Sequence, residues 1–276
     1  MDAWHFERHI ISVLKRRYLR LIRNQSINNL PPADKMGVCG KYIRKRQLIG
    51  LDILKTVDKI CKENNFHYWL GSGTLLGAVR HKGFIPWDDD IDVYMLRSDY
   101  EKLREKLYDY YRNDDFFTVR HCSAVNRHDA HYALRIMALK NTAGLDIFPV
   151  DIFSYKSISD DDKIQLKQKI NIALAQLLKK SKNDQFICNE EHVKAYIRYL
   201  NKNVICCSEE KKDVLPYIIY YGIDFPHAGV GNMCMEYSDI FPLIEIEFEG
   251  CKFTTMHNYH KNLSYVYGDD YLNSIK

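Results

Sequence analysis

The chain has 276 residues, of which 46% are hydrophobic and 28% are charged, so it can bury a full core as one enlarged domain or a domain with a helical appendage. A net charge of +4 is too small to indicate a nucleic-acid partner, and no basic run is interleaved with aromatic residues as in a single-strand-binding groove. No apolar run is long enough to cross a bilayer, so we expect a protein that does not span a membrane.

The amino-terminal segment, residues 1–40, is predicted to be a basic amphipathic helix followed by a linker. Residues 4–23 place apolar side chains at helical spacing and fill much of the remainder with arginine and lysine, a pattern that suits a helix lying on an anionic membrane surface. Packing against the chain's own domain or a partner subunit is the alternative. Residues 24–40 include the adjacent Pro31 and Pro32 and are linker-like.

Residues 41–62 are predicted to form an amphipathic helix that opens the catalytic domain. Leu48, Leu51, Leu54, Val57 and Cys61 fall on one side of it, and two asparagines follow its end. We expect this helix to pack against the sheet that begins at Tyr68.

The next stretch joins a short buried strand, residues 68–70, to a helix over residues 74–80 through Gly71, Ser72 and Gly73. A strand that runs through glycines into a helix start presents backbone N–H groups to an anion, and the helix dipole adds to the attraction. We therefore expect this turn, with Thr74 at the helix start, to bind phosphate. Basic side chains just beyond could hold phosphate oxygens or form a solvated basic turn: Arg80, His81 and Lys82.

A second strand is predicted from Asp90 to Met95, because acidic and apolar residues alternate there. Side chains two apart share a face, so Asp90 and Asp92 would stand side by side and repel each other. A divalent cation removes that conflict, and carboxylate oxygens suit magnesium, manganese or calcium. A calcium-binding loop starting at Asp88 is excluded, since it requires Gly and Glu where Val93 and Asp99 stand. A solvated acidic turn before an edge strand is the alternative.

Beyond this strand, Ser98 and Glu101 form a capping-box pattern, which predicts a helix to about Arg112. Residues 116–120 and 133–139 are strand candidates, and the second could equally be helical.

An apolar run from Leu145 to Phe153 contains Asp146 and Asp151. A buried strand seldom carries an acid without a partner, so Asp146 becomes the third carboxylate of the site if its strand lies beside that of Asp90 and Asp92. Asp151 could cap the next segment and is left out of the catalytic set.

The remainder is predicted to be a helical subdomain and a terminal hairpin. Helices are expected over residues 160–180, 190–203 and 209–221, with Pro216 kinking the third. Residues 243–253 alternate apolar and glutamate positions around Gly250, which predicts a hairpin with one wet face. Eight scattered cysteines without a Cys-x-x-Cys pair or a signal peptide favour reduced thiols in a cytosolic protein, although zinc at Cys206 and Cys207 stays open.

Taken together, a Gly-Ser turn, a helix and an Asp-x-Asp strand resemble the signature of polymerase-beta-like nucleotidyltransferases. The fuller strings Gly-Thr-Leu-Leu-Gly-Ala-Val-Arg-His (73–81) and Gly-Phe-Ile-Pro-Trp-Asp-Asp-Asp-Ile-Asp (83–92) are similar to the LicD family of phosphocholine transferases, which the fukutin-related proteins resemble. Leu-Asp-Ile-Phe-Pro-Val-Asp (145–151) matches a second LicD-like motif, with Asp146 at the third acidic position. Tyr-Gly-Asp-Asp-Tyr (267–271) resembles the family's carboxy-terminal element, although Met256 and His257 replace an apolar-proline pair.

The resemblance implies an α/β, nucleotidyltransferase-like (polymerase-beta-like) mixed-sheet core over residues 41–155, a helical subdomain over 156–235, and a carboxy-terminal hairpin and helix over 236–276. It implies Mg²⁺ or Mn²⁺ at Asp90, Asp92 and Asp146, which are also the catalytic set.

The activity implied is transfer of a phosphocholine-like group from a CDP-linked donor to a hydroxyl of a cell-surface glycan such as lipopolysaccharide, teichoic acid or capsule, with release of CMP. A cytoplasmic enzyme, peripheral on the membrane through residues 4–23, is the expected setting. Trp69, Trp87 and Tyr94 offer aromatic faces for choline, and glycerol or ribitol phosphate donors would leave the metal site unchanged. The alternatives are a nucleotidyltransferase, which leaves the nucleotide on its acceptor, and a non-catalytic binding module.

Overall fold

A mixed β-sheet forms the centre of the molecule. The computed structural model describes residues 37–126, 130–138, 143–154, 185–186, 217–220 and 234–273. In chain order the described elements are helix α1 (Gly37–Asn64), strand β1 (Tyr68–Leu70), helix α2 (Ser72–His81), strand β2 (Asp90–Leu96), helix α3 (Arg97–Tyr110), strands β3 (Phe117–Asn126), β4 (Ala130–Ala138), β5 (Gly144–Ser154), β6 (Gln185–Phe186), β7 (Tyr217–Tyr220) and β8 (Cys234–Glu236), helix α4 (Tyr237–Ile240), strands β9 (Ile244–Phe248) and β10 (Cys251–Thr255), and helix α5 (Tyr259–Tyr267).

Eight of the described strands belong to this sheet, in the order β1-β2-β5-β4-β3-β6, with β7 pairing with both β5 and β8. Strands β2 and β5 are parallel, whereas β1 runs antiparallel to β2 and β4 antiparallel to β5. The apolar positions of β2 and β5, including Ile91, Val93, Leu145 and Ile147, are fully buried. The predicted mixed α/β class is therefore confirmed.

Helix α1 packs most of the face predicted from its sequence, with Leu54 and Val57 fully buried and Leu51 nearly so. The prediction is wrong for Leu48, which lies one turn nearer the helix start and is exposed. Its start differs from the prediction, because residues 37–40, assigned to the linker, are already helical. The pair of prolines lies far enough upstream not to interrupt the turn, so the helix extends through residues without a strong apolar repeat. It ends at Asn64, and Asn65 then adopts the left-handed conformation at φ 56°.

The capping box predicted at Ser98 is wrong. Helix α3 begins two residues earlier, with Leu96 rather than Ser98 at its N-cap and no side-chain cap. The nearby Asp99 carboxylate instead accepts a hydrogen bond from the His67 backbone N–H at 2.9 Å. That tertiary contact ties the loop before β1 to α3, whereas a capping box would have been local to the helix.

The two segments after α3 are both strands. Residues 117–126 and 130–138 form an antiparallel pair in which Phe117 lies opposite Ala138, and β4 also pairs with β5. The helical alternative for residues 133–139 is therefore excluded for the part of that segment that the structure describes.

The predicted helical subdomain is only partly covered by the described residues. Residues 217–220 form strand β7, in which Ile219 lies opposite Ile152 of β5, so the carboxy-terminal part of the helix predicted over residues 209–221 is wrong. β-Branched and aromatic side chains favour a strand wherever a sheet edge is available, and β5 supplies that edge. The other two predicted helices, the segment 4–23 and the pair Cys206 and Cys207 lie outside the described residues.

The terminal hairpin is confirmed. Glu245 and Glu247 are exposed on β9, whereas Phe248 and the β10 residue Phe253 are buried. The hairpin docks beside β1, since the Thr254 hydroxyl donates to the Tyr68 carbonyl at 2.5 Å. A search of the described residues for a helix long and apolar enough to cross a membrane finds none.

Candidate active site

The candidate site is built first on the parallel strands β2 and β5, which bring their acids together. Asp92 lies opposite Asp146 in the strand register, and Asp90 lies opposite Gly144. Residues in register, and residues two apart on one strand, share a face of a sheet, so these three acids stand on the same face. Asp146 is buried, Asp92 is half-buried and Asp90 is exposed. The strand adjacency on which the assignment of Asp146 depends is therefore present.

An aromatic pair continues this face one register step further along the two strands. Tyr94 lies opposite Phe148, and their rings stack with centroids 5.1 Å apart. Burial raises the pKa of Tyr94 far above its usual value, and the negative charges of Asp92 and Asp146 raise it further. The phenol therefore stays protonated, and its oxygen shares a hydrogen bond with the Ser72 hydroxyl at 2.7 Å.

The glycine bend packs directly on Tyr94. A Cβ added at Gly71 would lie 2.2 Å from Cε2 of the Tyr94 ring, so only glycine fits against it. The Gly71 N–H donates to the Asp92 carbonyl at 3.2 Å. Gly71 was predicted to offer that N–H to phosphate, and this prediction is wrong because the sheet already uses the donor. Its role in the site is to admit the tyrosine ring.

The start of helix α2 supplies the remaining predicted donors. The first helical hydrogen bond runs from the Leu75 N–H to the Gly71 carbonyl, and the N-cap residue, Gly71, provides no side-chain cap. The N–H groups of Ser72, Gly73 and Thr74 consequently lack helical acceptors, as in the first turn of any helix. Thr74 also fixes the helix to β2, because its hydroxyl accepts a hydrogen bond from the Asp92 N–H at 2.9 Å.

Asp88 is a site residue that the sequence reasoning missed. A Cβ at Gly73 would lie 2.7 Å from Oδ2 of Asp88, so this carboxylate rests against the first turn of α2. A helix amino terminus stabilises negative charge, which is the same physical preference that would attract a phosphate. An acidic side chain following the loop's Pro-Trp was the available signal.

The donor set suits a hard divalent cation by its chemistry. Carboxylate oxygens are the ligands that Mg²⁺ and Mn²⁺ prefer. Asp92 and Asp146 could provide them from neighbouring strands, and Asp90 lies two residues before Asp92 on β2. Among the residues that the structure describes, no group of three His, Cys, Asp or Glu side chains is close enough together to hold a metal ion. The predicted metal stays a prediction.

Comparison with known proteins now identifies the family. Residues 65–179 match the family model described as LicD/FKTN/FKRP, nucleotidyltransferase domain. The chain carries a LicD-family domain. This match begins just before β1 and covers both acid-bearing strands.

One relative of this LicD-family domain can be aligned with most of the chain. The chain is 28% identical over 263 residues to the lipopolysaccharide cholinephosphotransferase LicD of Haemophilus influenzae, covering 82% of this chain and 90% of the relative. It is 43% identical over 63 residues to an uncharacterised protein of Rickettsia prowazekii, covering 23% of this chain and 24% of that relative. A Rickettsia typhi protein, also uncharacterised, is 46% identical over 55 residues, 20% of this chain and 18% of its own length. The predicted family and the LicD-like transferase class are confirmed.

In the LicD-family domain, the three basic residues predicted to hold phosphate differ in their surroundings. Burial lowers the pKa of Arg80, which as a guanidinium still carries its charge at neutral pH. His81 is half-buried, and its Nε2 has no hydrogen-bond partner among the described residues. Lys82 ends the helix in the left-handed conformation and places its ammonium 3.5 Å from Glu247 of the hairpin. Arg80 thus combines partial burial with a retained positive charge, and its contact with phosphate stays a prediction.

His81 gives the LicD-family domain a predicted acid sensitivity. Burial first, and the Arg80 charge second, lower the pKa of His81 from 6.5 to about 4. Between these values the unfolded chain binds a proton that the folded chain excludes, so the free energy of unfolding falls as the pH drops from about 6.5 to about 4.

The variant His81→Gln should flatten that pH dependence. We expect the difference in slope to stay below the one-proton limit of about 1.4 kcal/mol per pH unit, because His81 is partly exposed and screened. Urea unfolding of both proteins at several pH values between 7 and 4 measures it. Equal slopes would show that His81 titrates normally in the folded chain.

The carboxy-terminal Tyr-Gly element also reaches the acids. Tyr267, the last residue of α5, is half-buried, and its pKa is raised to about 12 by burial and then by Asp92, Asp88 and Asp90. These causes place the Tyr267 phenol near the carboxylates of the β2 segment. The sequence resemblance singled out the element but gave Tyr267 no role, because nothing local to residues 267–271 reveals that the Tyr267 phenol comes within reach of these charges.

Proposed function

We propose that this chain transfers a phosphocholine group, or a related substituted phosphate, from a CDP-linked donor to a hydroxyl of a cell-surface glycan and releases CMP. The observation that carries the proposal is the register of Asp92 against Asp146, with the start of α2 joined to β2 by the hydrogen bond from the Asp92 N–H to the Thr74 hydroxyl. The long match to a lipopolysaccharide cholinephosphotransferase supports the choline group and the glycan acceptor. A nucleotidyltransferase-like core is part of the same proposal, supported by the family description.

The proposed donor site combines the acids of β2 and β5 with the N–H groups at the start of α2, which the Thr74–Asp92 hydrogen bond joins to β2. A divalent cation bound by Asp92 and Asp146, with Asp90, would neutralise the oxygens of the donor diphosphate. The N–H groups of the first turn of α2 would hold the same diphosphate from the other side. Phosphoryl transfer depends mainly on positioning and electrostatics, so this arrangement supplies what the reaction requires.

The acceptor hydroxyl needs a base and a fixed direction of approach. Asp146 is buried beside Asp92, so its carboxylate oxygen could accept the proton of a hydroxyl that approaches this face of the sheet. Tyr94 lies beneath the acids as a protonated phenol and keeps Ser72 oriented by the shared hydrogen bond. Tyr94 and Ser72 would thus help to fix the site without changing charge, whereas Asp146 would take up the proton.

Nucleotidyl transfer is the second candidate, since the family description names a nucleotidyltransferase domain. The two reactions differ in the group retained by the acceptor. Substituted-phosphate transfer releases CMP from a CDP-linked donor, whereas nucleotidyl transfer releases pyrophosphate from a nucleoside triphosphate. The binding-module alternative is the weaker one, because all three predicted acids lie on one face of the sheet.

The test offers purified protein CDP-choline, CDP-glycerol or CDP-ribitol with Mg²⁺, and CTP in a parallel reaction. We expect CMP from a CDP-linked donor, slowly with water as acceptor and faster with a lipopolysaccharide acceptor, and no CMP after EDTA treatment until Mg²⁺ or Mn²⁺ is restored. Pyrophosphate from CTP with no CMP from any CDP-linked donor would replace the proposal by nucleotidyl transfer.

A further inference from the structure

The loop between α2 and β2, residues 82–89, carries Asp88 to the start of α2 and is fastened from outside the site. Gln47 of helix α1 is buried, with 1% of its surface exposed. Its side-chain amide nitrogen donates to the backbone carbonyl of Ile85 at 3.3 Å and to that of Asp88 at 2.7 Å. One amide thus holds the loop at two points.

The orientation of Gln47 is itself fixed by Arg44, one helical turn earlier on α1. Arg44 Nη1 donates to Gln47 Oε1 at 3.2 Å, and Arg44 Nη2 donates to Glu249 Oε2 at 2.6 Å. The bond to Oε1 leaves the amide nitrogen of Gln47 directed at the loop. An amide bound through both its oxygen and its nitrogen has one preferred orientation.

Glu249, at the turn of the β9–β10 hairpin, closes the connection back to the loop. Its second carboxylate oxygen accepts from the Phe84 N–H at 3.1 Å, and its own N–H donates to the Lys82 carbonyl at 2.7 Å. Arg44, Gln47 and Glu249 therefore form one chain of bonds that joins α1, the hairpin and the loop.

A neighbouring ion pair holds the end of the same loop. Arg46 Nε lies 2.6 Å from Asp89 Oδ2, and the two side chains are only 15% and 8% exposed. Ion pairs this shielded from water keep more of their attraction than surface pairs do. Asp89 immediately precedes Asp90, so this contact fixes the entry into β2.

We propose that Gln47, oriented by Arg44 and Glu249, is a positioning residue that sets the place of Asp88 and Asp90 in the active site. The inference rests on the proposed function of that site. Removing the amide takes this donor from the Asp88 carbonyl and leaves the Ile85 carbonyl with the turn hydrogen bond from the Asp88 N–H, so the loop shifts or loosens. Mutating a residue that supports metal ligands from behind commonly lowers metal affinity or activity by about 10–100-fold. We expect an effect of the same order when Gln47 is replaced.

The first variant is Gln47→Met, which keeps the length of the side chain but removes both its acceptor and its donors. The second is Gln47→Glu, which keeps the acceptor for Arg44 and removes the donors. For both we expect faster hydrogen exchange in peptides covering residues 82–92, a rise in the Mg²⁺ concentration at half-maximal rate, and a fall in kcat of roughly 10–100-fold with CDP-choline. The KM for CDP-choline should change by less than about threefold, since loop placement acts on the reacting centre.

The matched control is Val57→Ala, which weakens the same helix at a fully buried position. It should lower thermal stability and leave kcat per folded molecule and the Mg²⁺ dependence unchanged. Unchanged exchange of residues 82–92 in Gln47→Met, or a kcat equal to that of Val57→Ala, overturns the positioning role. Failure of the proposed function looks different, because then the wild-type chain itself releases no CMP from any CDP-linked donor.

Discussion

Replacing Asp92 by asparagine is expected to reduce CMP release from CDP-choline by about a thousandfold or more, with any remaining activity independent of Mg²⁺. Asp92 stands opposite Asp146 and next to Asp90 on one face of the sheet, so its carboxylate is central to the charge that would hold the cation. Asp90→Asn should be equally damaging and Asp146→Asn nearly so. Steady-state rates across a Mg²⁺ titration measure the effect.

These three variants should fold as well as the wild-type chain, because neutralising one of several neighbouring acids relieves repulsion while removing contacts. The control is Asp52→Asn, which removes one carboxylate from an exposed position of α1 and should leave the rate unchanged. Wild-type turnover by Asp92→Asn would remove the acid pair from the mechanism. A rate lost only in proportion to lost folded protein would make Asp92 a structural residue.

The acids could be predicted from the sequence because their chemistry is visible in single strands. Asp90 and Asp92 alternate with apolar residues, and Asp146 interrupts an apolar run in which a charge is costly. The hairpin was equally readable from alternating Ile and Glu around Gly250. What these patterns could not give is register, since only the sheet shows that Asp92 lies opposite Asp146.

The parts of the site that escaped prediction depend on contacts between distant segments. Tyr267 lies in the last helix, and its relation to Asp92 exists only after the chain folds back. The Gly71 N–H was predicted to bind phosphate because a glycine bend before a helix commonly does so. In the structure it donates instead to the Asp92 carbonyl of β2. Ser98 carries a helix-start pattern, yet the helix begins two residues earlier, and the Asp99 carboxylate in its first turn accepts a hydrogen bond from the distant His67 N–H.

The prediction of a helix over residues 209–221 is wrong for a different reason, because the residues after Pro216 themselves prefer extended backbone. Pro216 kinks a helix in that prediction, but Pro also suits the residue before a strand. The four residues that follow it favour extended backbone: Tyr217, Ile218, Ile219 and Tyr220. Their pairing with β5 returns the chain to the central sheet beyond the acids. A run of four such residues after a proline was the signal available.

The Gly71–Tyr94 contact is the tightest packing constraint described at the site. The ring of Tyr94 is held from three directions, by stacking on Phe148, by the hydroxyl bond to Ser72 and by Gly71 itself. Ser72 sits in the left-handed region at φ 47°, which is costly for a residue with a side chain, so that bond also supports the turn. These contacts leave the Tyr94 ring no free space into which it could move away from an added Cβ at Gly71.

Gly71→Ala should therefore destabilise the fold by about 1–3 kcal/mol and lower turnover by roughly a hundredfold, because the start of α2 moves away from the acids. Urea unfolding and kcat measure the two effects. Gly50→Ala is the control, since its Cβ would meet the flexible end of Ile91 at 3.3 Å and lies within a helix that favours alanine. In a Tyr94→Ala background the added methyl should cost much less, as a coupled pair requires. Equal costs in both backgrounds would show that the ring does not oppose the methyl group.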